Sequence, residues 1–280
     1  MTQFNRPRES VGMRLSVTVQ YLSRKNSISD KPNEDAVFAD LENNVFALAD
    51  GVSRLRNAEG VYPDPSPACE AAKLLVKQAA EFITTNKSEN SAATVIELEK
   101  ALQYANSMIG RFNEVEIPNP DFGINDYAAA VGIVGSVSGD TFRYAYIGDC
   151  VGILVRAGAL TYLTENQTEQ IEAYIRAHKN TPNLEQTVRR EIRNNLSHAL
   201  SWGALTGEEK AHTFIKSGEI SLNKGDRVIL CSDGLLGVLS QYAPLLSNGS
   251  AEQLVNAMLE LEANGNYRSD DKTVLFIDIG

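Results

Sequence analysis

The chain has 280 residues, 43% of them hydrophobic and 22% charged, with a formal net charge of −10. Such a composition suits a globular protein with a sizeable core, and the acidic balance disfavours long-range attraction to nucleic acid or anionic lipid. No apolar run approaches the roughly 18 residues of a membrane span, and MTQFNRPRESVGMRLSV at the start lacks the apolar region of a secretory signal.

In chain order, MRLSVTVQYL alternates through Leu15, Val17 and Val19 and predicts a strand. DAVFADLENNVFALAD predicts a hairpin turning at Asn43-Asn44. After the Pro-rich loop VYPDPSP, helical spacing runs over 68–84 and 92–112, closed by Pro118 and Pro120. Four β-like segments follow, DYAAAVGIVGSV, TFRYAYIGD, VGILVRAG and LTYLTE, with turns expected at Ser138-Gly139 and Ala157-Gly158. A polar, helix-prone insert covers 165–195. The strands TFIKSGEISL and DRVILCSD, a helix over 251–262 and the strand KTVLFIDIG complete the order. Strands, then two helices, then more strands predict an α+β fold with antiparallel sheets and helices packed outside. No composition break divides the chain, so one domain over 1–280 is expected.

Several of these strands border acids. Apolar runs end in Asp50-Gly51, in Gly148-Asp149 and in Ser232-Asp233-Gly234, while Glu34-Asp35 and Asp270-Asp271 adjoin others. A glycine after the acid lets a backbone carbonyl approach an ion, or lets φ turn positive. Carboxylates, a carbonyl and water suit hard cations such as Mg²⁺ or Mn²⁺, and converging carboxylates without a cation repel one another. His178, His198 and His212 have no ligand-like spacing, so oxygen must supply the ligands. Cys69, Cys150 and Cys231 are far apart and odd in number, which reads as reduced thiols in a cytoplasm. Each acidic motif alone is ordinary, since Asp-Gly after a strand is usually a turn. The ordered set carries the reading.

The stretches NEDAVF, FALADGV, YIGDCVGILVRAGALTYLTE, LSHALSWGA, LNKGDRVILCSDGLLGVL and DDKTVLFIDI, from Asn33 to Asp278, resemble in order and spacing the metal-dependent protein serine/threonine phosphatases of the PP2C family. The resemblance implies two antiparallel sheets in a sandwich flanked by helices on both faces. It implies hydrolysis of phosphoserine and phosphothreonine in proteins by a metal-bridging hydroxide, with two Mn²⁺ or Mg²⁺ ions. Asp35, Asp50, Asp233 and Asp270 would form the catalytic set. Asp50 matches the acid bridging two metals, Gly51 the residue whose carbonyl binds one of them, and Asp233 and Asp270 the acids on the other. Glu34 and Asp35 match the pair ordering metal-bound waters, and Asp149 an acid near a third, weaker metal position. A monomeric, cytoplasmic enzyme acting on phosphoproteins is expected.

The chain departs from the family pattern at four places. Five residues before Asp35, where many relatives have a phosphate-binding arginine, stands Asp30; Lys31 is the expected substitute and Arg24 the fallback. Gly237 stands where some relatives place another acid, so third-site binding is expected to be weak. Asp271 replaces a common asparagine, adding a charge that bears on metal preference. DGVSR lacks the second glycine often found there. The missing arginine also motivates an alternative, a catalytically weak or inactive binding module with the same fold. A phosphatase of small phosphorylated metabolites is a remoter reading. Trp202 reads as core or flap packing, His198 as structural, Asp126 as a loop residue, and the insert as a mobile flap or a solvated helix pair.

Overall fold

The computed structural model describes residues 15–86, 93–265 and 269–280. Two five-stranded sheets face each other. The first has the order β1 (Val17–Arg24), β10 (Lys272–Ile279), β9 (Arg227–Cys231), β6 (Val151–Arg156) and β7 (Ala159–Tyr162). The second has the order β2 (Asp35–Asp40), β3 (Val45–Gly51), β4 (Ala130–Ser138), β5 (Thr141–Ile147) and β8 (Lys216–Ser221). Every pairing is antiparallel. Helices α1 (Pro67–Asn86) and α2 (Val95–Glu116) cover the second sheet, and α5 (Leu236–Gln241), α6 (Ala243–Asn248) and α7 (Ala251–Ala263) cover the first. The α+β sandwich implied by the resemblance is the observed fold. Among the described residues, no helix is long and apolar enough to cross a membrane.

Strand periodicity builds this layering. In β3, Val45, Ala47 and Ala49 pack against the α1–α2 layer, whereas Phe46 and Leu48 enter the core between the sheets. Both faces are buried, so the strand reads as an unbroken apolar run. In β9, Val228 and Leu230 face the inter-sheet core while Ile229 and Cys231 face the α5–α7 layer. The same alternation in β10 sends Leu275 and Ile277 inward and Val274 and Phe276 outward.

Element boundaries follow local chemistry. The predicted helix over 92–112 begins at Val95, because Thr94 caps it and Glu97 completes a capping box; Ala92 lies outside the described residues. It continues to Glu116, just short of Pro118. The β4–β5 turn falls on Gly139-Asp140, one residue later than expected, with Gly139 taking φ +59°. Ala157 and Gly158 turn where predicted, both at positive φ (49° and 81°), as a two-residue hairpin of the primed kind demands. The polar insert folds as α3 (Glu169–Ala177) and a short α4 (Leu184–Thr187) running into a π-helical turn, Val188–Ile192.

Candidate active site

Register brings the strand-end acids together. Asp35 and Asp50 are directly opposite in the β2–β3 ladder, so their side chains share a face. Residues 46, 48 and 50 share a strand face, so Asp50 prolongs the inter-sheet side of β3. Cys231 at the end of β9 pairs with Val151 near the start of β6 and with Val274 near the start of β10. Asp149, Asp233 and Asp270, each just beyond one of those residues, therefore emerge at one end of the first sheet. Asp50, Gly51, Asp149, Asp233 and Asp270 line a single cavity of about 630 Å³, together with Lys31.

The other predicted acids lie behind this wall. Asp35 is 7% exposed, and its Oδ2 accepts from Ser232 Oγ at 2.7 Å. Its Oδ1 is buried with no hydrogen-bond partner among the described residues. Glu34 accepts from Tyr62 OH at 2.6 Å, Ser53 Oγ at 2.6 Å and Ser66 Oγ, so three hydroxyls occupy its carboxylate. Lys31 Nζ donates to Ser53 Oγ at 2.7 Å and lies 3.9 Å from Glu34 Oε2. Arg24 instead donates to Asn256 of α7.

Two glycines admit the close approach this packing needs. Neither Gly51 nor Gly234 has positive φ. A Cβ at Gly51 would meet Ala68 O at 2.4 Å, and one at Gly234 would meet Asp271 O at 1.9 Å. Gly234→Ala is therefore expected to push the Asp270-Asp271 segment off Asp233. Thermal unfolding should register a loss of about 1–3 kcal/mol, and calorimetric Mn²⁺ titration a weaker affinity.

Asp271, expected to add charge to the site, serves the backbone instead. Its Oδ1 accepts from Asn26 N and its Oδ2 from Glu34 N, both at 2.7 Å, which ties two loops to the start of β10. Lys272, fully buried, pairs with Glu262 at 2.6 Å and donates to the Asp270 carbonyl at 2.6 Å. These contacts fix the backbone that presents Asp270.

Burial first, and mutual repulsion second, set the electrostatics. The Asp50 carboxyl is pushed well above the usual carboxylate range by desolvation, then by Asp35, Asp233, Asp149 and Asp270. Asp233 is raised well above that range by burial, then by Asp149 and Asp270. Burial lifts Asp35 to about 7 and Asp149 to about 6, although hydroxyl hydrogen bonds oppose both shifts. Burial also raises the Cys150 and Cys231 thiols, so neither is a ready thiolate nucleophile. An all-oxygen donor set, one orphaned carboxylate oxygen and several repelling acids fit divalent cations of the Mg²⁺ or Mn²⁺ type.

Sequence reasoning missed four residues of the site. Glu172 of α3 brings a carboxylate oxygen within 4.8 Å of Asp149 and Asp233, so the insert supplies an acid that Gly237 does not. Thr168 Oγ1 sits beside them, 2.8 Å from Asp149 Oδ2 and 3.1 Å from Glu172 Oε1. Arg54 and Arg189 also line the cavity. Asp126, read as a loop residue, is 1% exposed and ion-paired to Arg193 through both oxygens, at 2.8 and 2.9 Å. His198 Nδ1 accepts from Leu200 N at 3.1 Å, a structural contact, and Trp202 is buried on the cavity wall.

A sandwich of two antiparallel sheets with acids gathered at one end defines a class, and residues 24–266 match the protein phosphatase 2C family model. The chain belongs to that family. It is 27% identical over 270 residues to the serine/threonine protein phosphatase PstP of Mycobacterium tuberculosis. That match covers 95% of this chain and 46% of the relative, so the chain spans about half the length of the curated relatives it matches. The catalytic domain of PstP in complex with two manganese ions has the same fold, with a TM-score of 0.65 at 24% identity over 95% of this chain and 99% of that one. The Ser-Thr phosphatase MsPP of Mycobacterium smegmatis, in complex with cacodylate, superposes at a TM-score of 0.61, with 19% identity over 95% and 100% of the two chains.

Proposed function

We propose that this chain hydrolyses phosphoserine and phosphothreonine in proteins with two divalent cations, Mn²⁺ or Mg²⁺. The observation that carries this reading is the convergence of Asp50, Asp149, Asp233 and Asp270, from separate segments, on one cavity. Asp50 and the Gly51 carbonyl would hold one ion, Asp50, Asp233 and Asp270 the other, and Asp149 with Glu172 and Asp233 a weaker third. Bound there, the ions polarise the phosphoryl group and lower the pKa of water.

The remaining steps belong to the protein's own groups. The unpartnered Oδ1 of Asp35 accepts a hydrogen bond from water in the acidic cluster, while Ser232 fixes the other oxygen. Glu34, saturated by three hydroxyls, holds together the loop before β2 that carries Lys31 and the loop after β3 that carries Ser53. Lys31 Nζ transfers its hydrogen bond from Ser53 Oγ to a phosphoryl oxygen, as a point charge rather than a bidentate fork. Val52, Ile171, Ile175, Val188 and Trp202 give the same cavity apolar walls, suited to the stem of a phosphorylated side chain. Three free cysteines suit a reducing cytoplasm, where the chain would act as a monomer.

Purified protein assayed on p-nitrophenyl phosphate and on a phosphothreonine peptide tests the reading. Turnover should require Mn²⁺ or Mg²⁺, vanish on chelation, and fall on the order of 100-fold or more in Asp233→Asn. Turnover that survives chelation, or is unchanged in that variant, overturns it. A folded protein that binds Mn²⁺ yet turns over no phosphorylated substrate would be the binding module instead.

A further inference from the structure

Cations meet Ser53 from two sides. Lys31 donates to its hydroxyl beside Glu34, and Arg189, from the π turn of the insert, donates to its carbonyl at 2.9 Å. Behind that carbonyl lies a cluster whose charges do not balance. Arg54, Arg189 and Arg193 surround Asp126, the buried acid among them, and Arg193 already takes both of its oxygens. Arg189 reaches Asp126 at only 3.4 Å and the half-exposed Glu185 at 3.6 Å.

Arg54 is the anomaly. It is 6% exposed, and one nitrogen, Nη2, donates to the Ile124 carbonyl at 3.2 Å. Its Nε and Nη1 are buried with no partner among the described residues. A buried guanidinium with open donors is costly unless something else supplies acceptors. Burial holds this group below its usual range; Asp126 opposes that shift and Arg189 reinforces it. Arg54 and Arg189 both line the cavity that holds the acids. Lys31 stands on the Glu34 side of Ser53 and the arginine pair on the Asp126 side, so the cavity offers two separate cationic positions.

We propose that Arg54 and Arg189 form a second anion site, which binds an acidic group of the substrate next to the phosphorylated residue being hydrolysed. Its substrates are phosphoproteins carrying a carboxylate or a second phosphate near the target phosphoserine or phosphothreonine. Either group would supply acceptors for the open donors of Arg54 and a charge partner for Arg189, whose Nη2 stays on the Ser53 carbonyl. The inference rests on the phosphatase reading and adds the sequence context of the substrate.

The test compares kcat/KM on three phosphothreonine peptides that differ only beside the target residue: one with glutamate, one with phosphoserine, one with glutamine. The Mn²⁺-loaded protein should favour both acidic peptides by about tenfold over the neutral one. Arg189→Ala and, independently, Arg54→Lys should bring that ratio towards one, whereas Arg143→Ala, whose arginine pairs with Glu219 away from the cavity, should keep it. Preference for only one acidic peptide identifies the group read and supports the site. A ratio near one in the unmodified protein, a ratio that survives both variants, or one lost equally in Arg143→Ala overturns it. Because each ratio compares substrates within one variant, a general loss of folding or rate cancels. If no peptide is turned over, the phosphatase reading fails separately. Fluorescence anisotropy of the same peptides, labelled, then decides the anion site by the same ratio of affinities.

Discussion

Asp50→Asn is expected to raise the melting temperature of the metal-free protein while removing the proposed Mn²⁺-dependent phosphatase activity. The amide keeps the shape of the side chain and discards its charge. In the metal-free fold that half-buried charge faces Asp35 across the β2–β3 ladder, with Asp233, Asp149 and Asp270 also nearby. Like charges directly opposite in a sheet destabilise it, and desolvation adds to the cost. Removing one should raise Tm by several degrees at pH 8 in the presence of a chelator. The same substitution removes the ligand proposed to bridge both ions, so kcat/KM on p-nitrophenyl phosphate should fall on the order of 100-fold or more. Differential scanning fluorimetry and a steady-state assay read the two effects. A lower metal-free Tm in the variant would mean that Asp50 is not a strained anion in this fold.

The second large effect is a reversal of pH dependence by metal. Burial pushes Asp35 up to about 7 and Asp149 up to about 6 in the fold, and raises Asp50 and Asp233 well above the usual carboxylate range. In the unfolded chain each would titrate near about 4. Between those values the folded state binds more protons than the unfolded state, so stability falls as pH rises. The penalty is absent below about pH 4 and complete above the folded-state values. For Asp35 alone it is on the order of a few kcal/mol. In chelator, Tm should therefore decline from pH 5 to pH 8. Below that window Asp126 and Asp226 act oppositely. Burial works against their ionised forms, but Arg193 and Arg156 hold both carboxyls below the usual range, and that stabilisation is lost as acid protonates them. With millimolar Mn²⁺ the trend above pH 5 should invert, because protons compete with the ion for the same oxygens and bound ion stabilises the fold. Parallel Tm–pH curves with and without Mn²⁺ would show that the carboxylates are not the metal site.

Much of this site was legible because strands announce their ends. A two-sided apolar strand that stops at Asp50-Gly51 or Asp233-Gly234 marks both the acid and the tight packing after it. Convergence of those ends follows from antiparallel pairing in the two sheets. The glycines after these acids were expected to admit a carbonyl to an ion or to take positive φ; the structure gives them a packing reason instead, since the absent Cβ makes room for Ala68 O and Asp271 O with no positive φ involved. Glu172 could not be picked out, because within a polar insert it looks like Glu169, and only the docking of buried Ile171 turns that part of α3 toward Asp149. Asp126 finds Arg193 at a separation of 67 residues, a pairing with no local signature. Lys31 stayed ambiguous for the same reason. Its meaning depends on Ser53 and Glu34, which only the folded loops bring beside it.

The insert over 165–195 enters the cavity at two points, through Thr168 and Glu172 beside the carboxylates and through Val188 and Arg189 beside Ser53. Its middle, around Lys179 to Pro182, is exposed to solvent. A protein engineer who shortens or swaps it would disturb both ends together. On the proposed reading, cation retention and discrimination among targets would both depend on one segment, and changing its length would not adjust one without the other.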